Sequence, residues 1–140
     1  MRVAVVPVAL VFCILAAAGC KSGITDRNLV YVTAQETQNL TRSGDTTAIV
    51  VVDPRVPWRY RDGHIPGAIS MPMALLSQDA WKLDEDQVII VYGNTWNDDL
   101  SLAMSKALIK MAFPGVKTLR GGIDAWERAG FPITSGNDPG

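Results

Sequence analysis

The feature that most constrains the fold is a run of β-branched residues at positions 48–53, which reads Ala-Ile-Val-Val-Val-Asp. Such residues favour extended backbone, because two heavy atoms on Cβ restrict rotation about the first side-chain bond. The run shows no alternation of polar and apolar residues, so a strand formed by it has to be buried on both faces. Sheets of this kind are parallel and covered by helices on each side, which predicts an α/β fold.

Strand and helix patterns alternate along the rest of the chain. Thr33 and Glu36 have the spacing of a capping box and predict a helix that ends near Arg42, and apolar residues recur on one face of a second helix over residues 98–112. Further strands are predicted at residues 29–32, 68–71, 88–92 and 116–119. We therefore expect a single α/β domain with a central, mainly parallel sheet, helices on both faces, and binding sites at the carboxyl ends of the strands.

The first 19 residues have the layout of a secretory leader, with Arg2, an apolar run over residues 3–18, and Gly19. The run is shorter than the ~20 residues that span a bilayer, which favours a removed signal peptide over a permanent membrane helix. Residues 15–20, Leu-Ala-Ala-Ala-Gly-Cys, resemble the bacterial lipobox, although Ala17 stands where leucine is usual. The resemblance implies a lipid on Cys20 and a tether over residues 20–28; an ordinary signal peptide cut nearby is the alternative.

This leader predicts a protein of the bacterial cell envelope that is anchored in a membrane by its N-terminal lipid. Lys21 follows the proposed lipid site. In Gram-negative lipoproteins, which the leader resembles, a residue other than aspartate at that position implies the outer membrane. We therefore expect the domain to face the periplasm if the host is Gram-negative.

Cysteine usage limits the chemistry of the exported part. The chain has two cysteines, Cys13 inside the leader and Cys20 at the proposed lipid site. A mature chain lipidated on Cys20 has no thiol for an internal disulfide or for thiolate catalysis. His64 is the only histidine, which argues against a zinc site, and the formal net charge of −1 argues against nucleic acid as a partner. No cofactor is predicted.

Two segments resemble the rhodanese family. The first is Val-Val-Asp-Pro-Arg at residues 51–55 followed by Tyr-Arg-Asp-Gly-His-Ile-Pro-Gly-Ala at residues 60–68, and the second is Leu-Arg-Gly-Gly-Ile-Asp-Ala-Trp at residues 119–126 followed by Gly-Phe-Pro at residues 130–132. The strand at residues 88–92 lies between them, where the family has the strand that delivers its catalytic loop. The resemblance implies a rhodanese-like domain over residues 29–133, and we expect a flexible tail over residues 134–140.

In active rhodaneses, that strand is followed by a cysteine, whose loop also carries a glycine and an arginine and whose amides hold an anionic sulfur donor. In this chain the cysteine position is Gly93, the glycine position is Trp96 and the arginine position is Asp98. No other nucleophile in the region has an obvious base, although Thr95 and Ser101 are nearby. Asp98 and Asp99 suit the first turn of the following helix. The matching loop, in which we predict no catalytic residue, consists of Gly93, Asn94, Thr95, Trp96, Asn97 and Asp98.

A second departure concerns residues 55–61, Arg-Val-Pro-Trp-Arg-Tyr-Arg. The family usually has an acidic residue where Arg59 stands, suited to pairing with Arg55, so the resemblance implies repulsion between these two arginines. Arg55, Arg59 and Arg61, interleaved with aromatic rings, form a candidate surface for an anionic ligand or partner. A solvated surface loop without a binding role is the alternative.

Other residues of the family motifs are interpreted as scaffold. Asp53 is expected to accept local backbone hydrogen bonds, His64 to be structural, and Trp126 and Phe131 to lie in the core.

The leading hypothesis is a membrane-anchored, non-catalytic binding or interaction module in the cell envelope, with an envelope protein as a possible partner. The alternatives are a sulfurtransferase that uses an unrecognised nucleophile, and an inert structural module of an envelope assembly. The sequence leaves the oligomeric state open.

Overall fold

The computed structural model describes residues 23–42, 44–45 and 47–138 of the chain. Five strands form one sheet in the order β1-β5-β4-β2-β3, and each neighbouring pair of strands is parallel. The strands are β1 (Tyr31–Val32), β2 (Ile49–Asp53), β3 (Ile69–Ser70), β4 (Val88–Val91) and β5 (Val116–Leu119), and the α-helices are α1 (Ala34–Thr41), α2 (Pro57–Asp62), α3 (Leu76–Asp79), α4 (Asp99–Lys110) and α5 (Gly122–Arg128). Short 3-10 helices lie at Asp26–Asn28, Met73–Leu75 and Ala80–Lys82.

The central strands are buried on both faces, as their composition predicts. Val51 of β2 packs in a cluster with Ile123 and Trp126 of α5, on one side of the sheet. The next residue, Val52, packs on the other side with Met104 of α4. Successive side chains of a strand point to opposite faces, so one continuous apolar run supplies both cores. The prediction of a parallel sheet with helices on both faces is confirmed.

The helix signals in the sequence hold at their N-termini. Thr33 and Glu36 form the predicted capping box in front of α1, and Asp98 caps α4 through its side chain. The apolar face of α4 is buried at Met104 and Leu108, but Met111 is 43% exposed, because the helix has ended at Lys110 and the chain turns away from the core.

The segment after α5 makes backbone contacts with the end of α2 and with His64. Thr134 pairs with His64 in an antiparallel bridge, with N–H to O distances of 2.8 and 2.9 Å, and the Gly136 amide donates to the Arg61 carbonyl at 2.9 Å. These backbone groups lie against the end of α2, and the flexibility expected for residues 134–140 stays a prediction. Residues 139–140 lie outside the described part of the chain.

His64 is structural, as expected. Its side chain is fully buried and stacks on the Tyr60 ring with centroids 3.8 Å apart. Nδ1 faces the Tyr60 carbonyl oxygen and Nε2 faces the Asp138 carbonyl oxygen, each at 2.9 Å. Each ring nitrogen therefore lies beside a carbonyl oxygen of a neighbouring segment, and the N–H of a neutral ring donates to one of the two.

The proposed leader, the lipid site Cys20 and the first part of the tether fall within residues 1–22, outside the described residues. In the part of the chain that the structure covers, no helix combines the length and the apolar character needed to cross a membrane.

Candidate functional site

The loop from Gly93 to Asp98 joins β4 to α4 at the carboxyl edge of the sheet. Gly93 is buried at its start, Asn94 and Asp98 are half-buried, and the three residues between them are exposed. The loop therefore lies where a parallel α/β sheet ordinarily presents a binding site.

The Asp98 carboxylate accepts hydrogen bonds from both ends of this loop. Its Oδ1 accepts from the Leu100 and Ser101 amides at 3.0 and 3.1 Å, which caps α4. Its Oδ2 accepts from the Asn94 amide at 2.7 Å and from Asn94 Nδ2 at 3.1 Å. Four donors that converge on one carboxylate satisfy the loop internally, as the sequence predicts for an acidic residue in the first turn.

Gly93 and Asp98 are sterically coupled. A Cβ atom built on Gly93 would overlap the Asp98 carboxyl group, with Asp98 Cβ at 2.8 Å. Any side chain at position 93, cysteine included, thus requires the Asp98 carboxylate to leave its place. Gly93 has no positive φ, so the requirement for glycine comes from this contact and not from the backbone.

The other side of the loop is sealed by α5. The Gly93 carbonyl accepts from the Ile123 amide at 2.9 Å, and the Asn94 carbonyl accepts from the Asp124 amide at 3.1 Å. Gly122 permits this approach, because a Cβ there would overlap the Gly93 carbonyl oxygen and its φ is +58°. The carbonyls of the loop thus occupy the first free amides of α5.

Trp96 lies on the outer surface of the loop and is 57% exposed. Its indole is next to Gly121, where a built Cβ would be 3.2 Å from Nε1. The Arg120 guanidinium carbon is 6.0 Å from the Trp96 ring centre and 4.4 Å from that of Tyr31. Trp96 therefore covers the loop from outside and joins an exposed pair made of the Arg120 cation and the Tyr31 ring.

Below the loop, Asp53, Arg55 and Tyr92 form a buried network. Arg55 Nη2 lies 2.7 Å from Asp53 Oδ2, Arg55 Nε lies 2.9 Å from Oδ1, and the Tyr92 hydroxyl donates to Oδ2 at 2.5 Å. Asp53 also accepts from the Arg55 amide at 2.9 Å, which confirms the expected backbone bond. Sequence reasoning missed the ion pair, for which the only signal was an arginine two residues after a buried aspartate.

This network shifts the pKa of Arg55 and that of Tyr92. Burial alone lowers the pKa of Arg55, but the hydrogen bonds and negative charge of Asp53 outweigh it, so the net shift is upward. Burial, followed by the charge and the hydrogen bond of Asp53, raises the pKa of the Tyr92 hydroxyl. At neutral pH Arg55 is therefore a cation and Tyr92 keeps its proton.

The predicted three-arginine surface is wrong in one member. Arg55 is only 5% exposed, because Asp53 and the Gly63 carbonyl hold its guanidinium inside the fold. The expected repulsion from Arg59 has no role in placing Arg55, because Asp53 is its partner. Arg59 and Arg61 are exposed on α2, and the Arg59 guanidinium carbon stacks 4.4 Å from the centre of the Trp58 ring.

A cavity of about 330 Å³ adjoins the loop between α2 and α5. Its lining contains charged side chains of both signs and two isoleucines, and it reaches the loop at Asn94. The lining residues are Arg55, Arg59, Asp62, Gly63, Asn94, Ile123, Asp124, Glu127 and Ile133.

Trp126 and Phe131 lie in the core, as predicted. Trp126 is 2% exposed and donates through Nε1 to the Pro132 carbonyl at 2.7 Å, and Phe131 packs against it. Within residues 23–42, 44–45 and 47–138, no three histidine, cysteine, aspartate or glutamate side chains gather as a metal site would require.

A parallel five-stranded α/β sheet, with a loop at its carboxyl edge that leads into a helix, defines the class of fold that the sequence motifs suggest. Residues 33–129 match the family described as the rhodanese-like domain, and the chain belongs to that family.

Similar proteins agree with this assignment. A sulfurtransferase from Allochromatium vinosum is 32% identical over 94 residues, which cover 67% of this chain and 86% of that protein. A thiosulfate sulfurtransferase from Pseudoalteromonas translucida is 31% identical over 85 residues, which cover 61% of this chain and 79% of that protein. The solution structure of the rhodanese-like domain of an Anabaena protein superposes with a TM-score of 0.66 at 30% identity, covering 76% of this chain and 80% of that one. The predicted fold and family are confirmed.

Proposed function

We propose that this chain is a non-catalytic member of the family, which acts as a binding or interaction module held at a membrane of the bacterial cell envelope by a lipid on Cys20. The observation that carries the non-catalytic role is the Asp98 carboxylate, which occupies the amides of Asn94, Leu100 and Ser101. An anionic sulfur donor needs such amides. Gly93 beside it offers no nucleophile.

Electrostatics strengthens this argument. A second anion about 4 Å from the Asp98 carboxylate would be repelled by about 4 kcal/mol at an effective dielectric constant near 20, which corresponds to roughly a thousandfold weaker binding. Asp99, exposed in the first turn of α4, adds a further negative charge. The loop thus disfavours the anionic substrates that a sulfurtransferase uses.

The catalytic question is answered by measuring thiocyanate formation from thiosulfate and cyanide with the purified full chain. The Allochromatium vinosum relative, assayed in parallel, serves as the positive control. We expect no turnover above buffer. Turnover well above buffer that persists after Gly93→Ala would overturn the non-catalytic role.

One observation favours a second candidate, a sulfurtransferase with another nucleophile: the relatives at 31% and 32% identity carry that name. Thr95 is exposed in the loop, whereas the Ser101 hydroxyl donates to the Asp98 carbonyl at 2.9 Å and is committed to the helix cap. Intact-mass spectrometry after incubation with thiosulfate would reveal added sulfur on the full chain. An adduct mapped to residues 23–138 would favour this candidate.

The membrane anchor has its own test. Lipid on Cys20 predicts that wild type fractionates with membranes and incorporates labelled palmitate, whereas Cys20→Ala does neither. Cys13→Ala is the matched control and should behave as wild type, because it lies inside the leader. Palmitate labelling that continues in Cys20→Ala would refute the assignment.

A partner surface on α2 is supported by the exposure of Arg59 and Arg61. An anionic envelope partner would lose contact on charge reversal, so crosslinks formed in intact cells should differ between wild type and a double variant, Arg59→Glu with Arg61→Glu. Identical crosslinks in both would remove this surface from consideration.

A further inference from the structure

The cavity between α2 and α5 contains charges of both signs that do not neutralise one another. Within the described ranges 23–42, 44–45 and 47–138, Arg59, Asp62 and Glu127 form no ion pair; the contact of Arg59 is with the Trp58 ring. Asp124 is paired with Arg128 at 3.8 Å, with 45% of the Asp124 side chain and 65% of the Arg128 side chain exposed. A binding site with unsatisfied groups of both signs suits a ligand that also carries both signs.

Arg55 adds a buried donor to this cavity. Its Nε and Nη2 are engaged by Asp53 and the Gly63 carbonyl at 3.1 Å or less. Its Nη1 makes only a long bond of 3.4 Å, to Asn94 Oδ1. The guanidinium is therefore fixed in position with one nitrogen weakly bonded, and a carboxylate in the cavity would find a donor there.

We propose that this cavity binds a free α-amino acid, with the carboxylate held by Arg59 and Arg55 Nη1 and the ammonium group held by Glu127 and Asp62. The inference rests on the proposed non-catalytic binding role. The cavity volume, about 330 Å³, lies at the small end of the ~300–1,000 Å³ usual for small-molecule sites. Ile123 and Ile133 provide the apolar part of the lining.

The balance of charge in the lining distinguishes this ligand from simpler ones. Arg55 is paired with Asp53, and Asp124 is paired with Arg128, which leaves Arg59 with two acids, Asp62 and Glu127, in the lining. A bare inorganic anion would meet these carboxylates, and a simple cation would meet Arg59. The excess of acids over unpaired cations predicts that an amino acid with a basic side chain binds more tightly than a neutral one, and an acidic one least tightly.

Calorimetric titration of the full chain in detergent tests the proposal, with lysine, alanine and glutamate as probes. We expect affinities in the order lysine, alanine, glutamate. Lysine methyl ester, which lacks the carboxylate, and Nα-acetyl-lysine, which lacks the α-ammonium, should each bind at least tenfold more weakly than lysine. No heat with lysine at millimolar concentration, or equal affinity for lysine and both blocked forms, would overturn the proposal.

Substitutions assign the two ends of the ligand. Arg59→Gln should reduce the difference between lysine and its methyl ester, because Arg55 Nη1 remains, and Glu127→Gln should reduce the difference between lysine and Nα-acetyl-lysine. Arg42→Gln and Glu85→Gln, exposed sites outside the cavity, are matched controls and should bind as wild type. Unchanged discrimination in both cavity variants would contradict the proposed contacts. Absent binding without sulfur transfer defeats only the ligand assignment, whereas sulfur-transfer turnover defeats the proposed function itself.

Discussion

Asp53 and Asp98 are both carboxylates at the carboxyl edge of the sheet, and they are satisfied by partners of different kinds. Asp53, at the end of β2, is fully buried and bonds to the guanidinium of Arg55 and the hydroxyl of Tyr92. Asp98, in the loop after β4, is half-buried and bonds to the backbone amides of Asn94, Leu100 and Ser101.

The two carboxylates have different roles: Asp53 belongs to the scaffold, and Asp98 belongs to the loop of the candidate site. A buried carboxylate needs a cation close by, because an unpaired charge in the interior is very costly. A carboxylate at the start of a helix needs only amides, which an external anion would otherwise bind. Asp53 therefore holds the frame beneath the loop, while Asp98 occupies the backbone amides at the start of α4.

Removing the cation that pairs with Asp53 should lower the free energy of unfolding more than any other change proposed below. Arg55→Ala removes the cation and leaves a buried carboxylate, which should lower the free energy of unfolding by about 3–5 kcal/mol. Urea unfolding of the full chain, followed by circular dichroism, measures it. The double variant Asp53→Asn with Arg55→Met removes both charges and should lose less than Arg55→Ala.

The control for this experiment is Arg61→Ala, an exposed arginine on α2, whose effect should stay within about 0.5 kcal/mol. If Arg55→Ala proves as mild as this control, the Asp53 charge is not dependent on Arg55, and the contrast with Asp98 fails.

The next effect concerns the contact between Gly93 and Asp98. Gly93→Ala places a methyl group against the Asp98 carboxyl group and should cost about 1–3 kcal/mol, typical of overpacking. In an Asp98→Gly background that clash is absent, and glycine at a helix N-cap loses only a few tenths of a kcal/mol relative to aspartate. Gly93→Ala should then be nearly neutral.

A double-mutant cycle of these two substitutions, measured by urea unfolding, gives the coupling directly. Equal costs of Gly93→Ala in both backgrounds would show that Asp98 does not occupy the space beside residue 93. A cysteine at position 93 would then fit without displacing the Asp98 carboxylate.

The fold could be predicted from local patterns because its signals are local. The run of valines in β2 implies burial on both faces, and the capping residues Thr33 and Asp98 mark helix starts by backbone hydrogen bonds within a few residues. The contacts of residues 134–138 with His64 could not be predicted this way, because they join positions about 70 residues apart and carry no periodic signal.

The part of the candidate site that depends on local sequence patterns could also be predicted. The role of Asp98 as a helix cap follows from its position before α4, whereas the assignment of Gly93 to the cysteine position of the family stays a prediction. The placement of Arg55 was wrong, because hydropathy places arginine at the surface and does not show that Asp53 can pair with it inside. The cavity between α2 and α5 could not be predicted from sequence patterns. Arg59 and Glu127 are far apart in the sequence, and each resembles an ordinary surface charge.

The last and weakest effect is a dependence of the unfolding free energy on pH, which tests whether Tyr92 shares the buried charge of Asp53. Burial and Asp53 raise the pKa of Tyr92, whereas a tyrosine in the unfolded chain titrates near pH ~10. Above that pH the unfolded chain releases this proton and the folded protein keeps it, so the unfolding free energy should fall by up to about 1.4 kcal/mol per pH unit until the folded pKa is reached. Below pH ~10 the stabilisation is fully present.

Tyr92→Phe cannot titrate and should show a shallower decline between about pH 9 and about pH 11. Tyr31→Phe, on the exposed edge strand, is the control and should follow wild type. An equal decline in wild type and Tyr92→Phe would mean that the phenol does not share the buried charge of Asp53, and that this carboxylate, like that of Asp98, is satisfied without it.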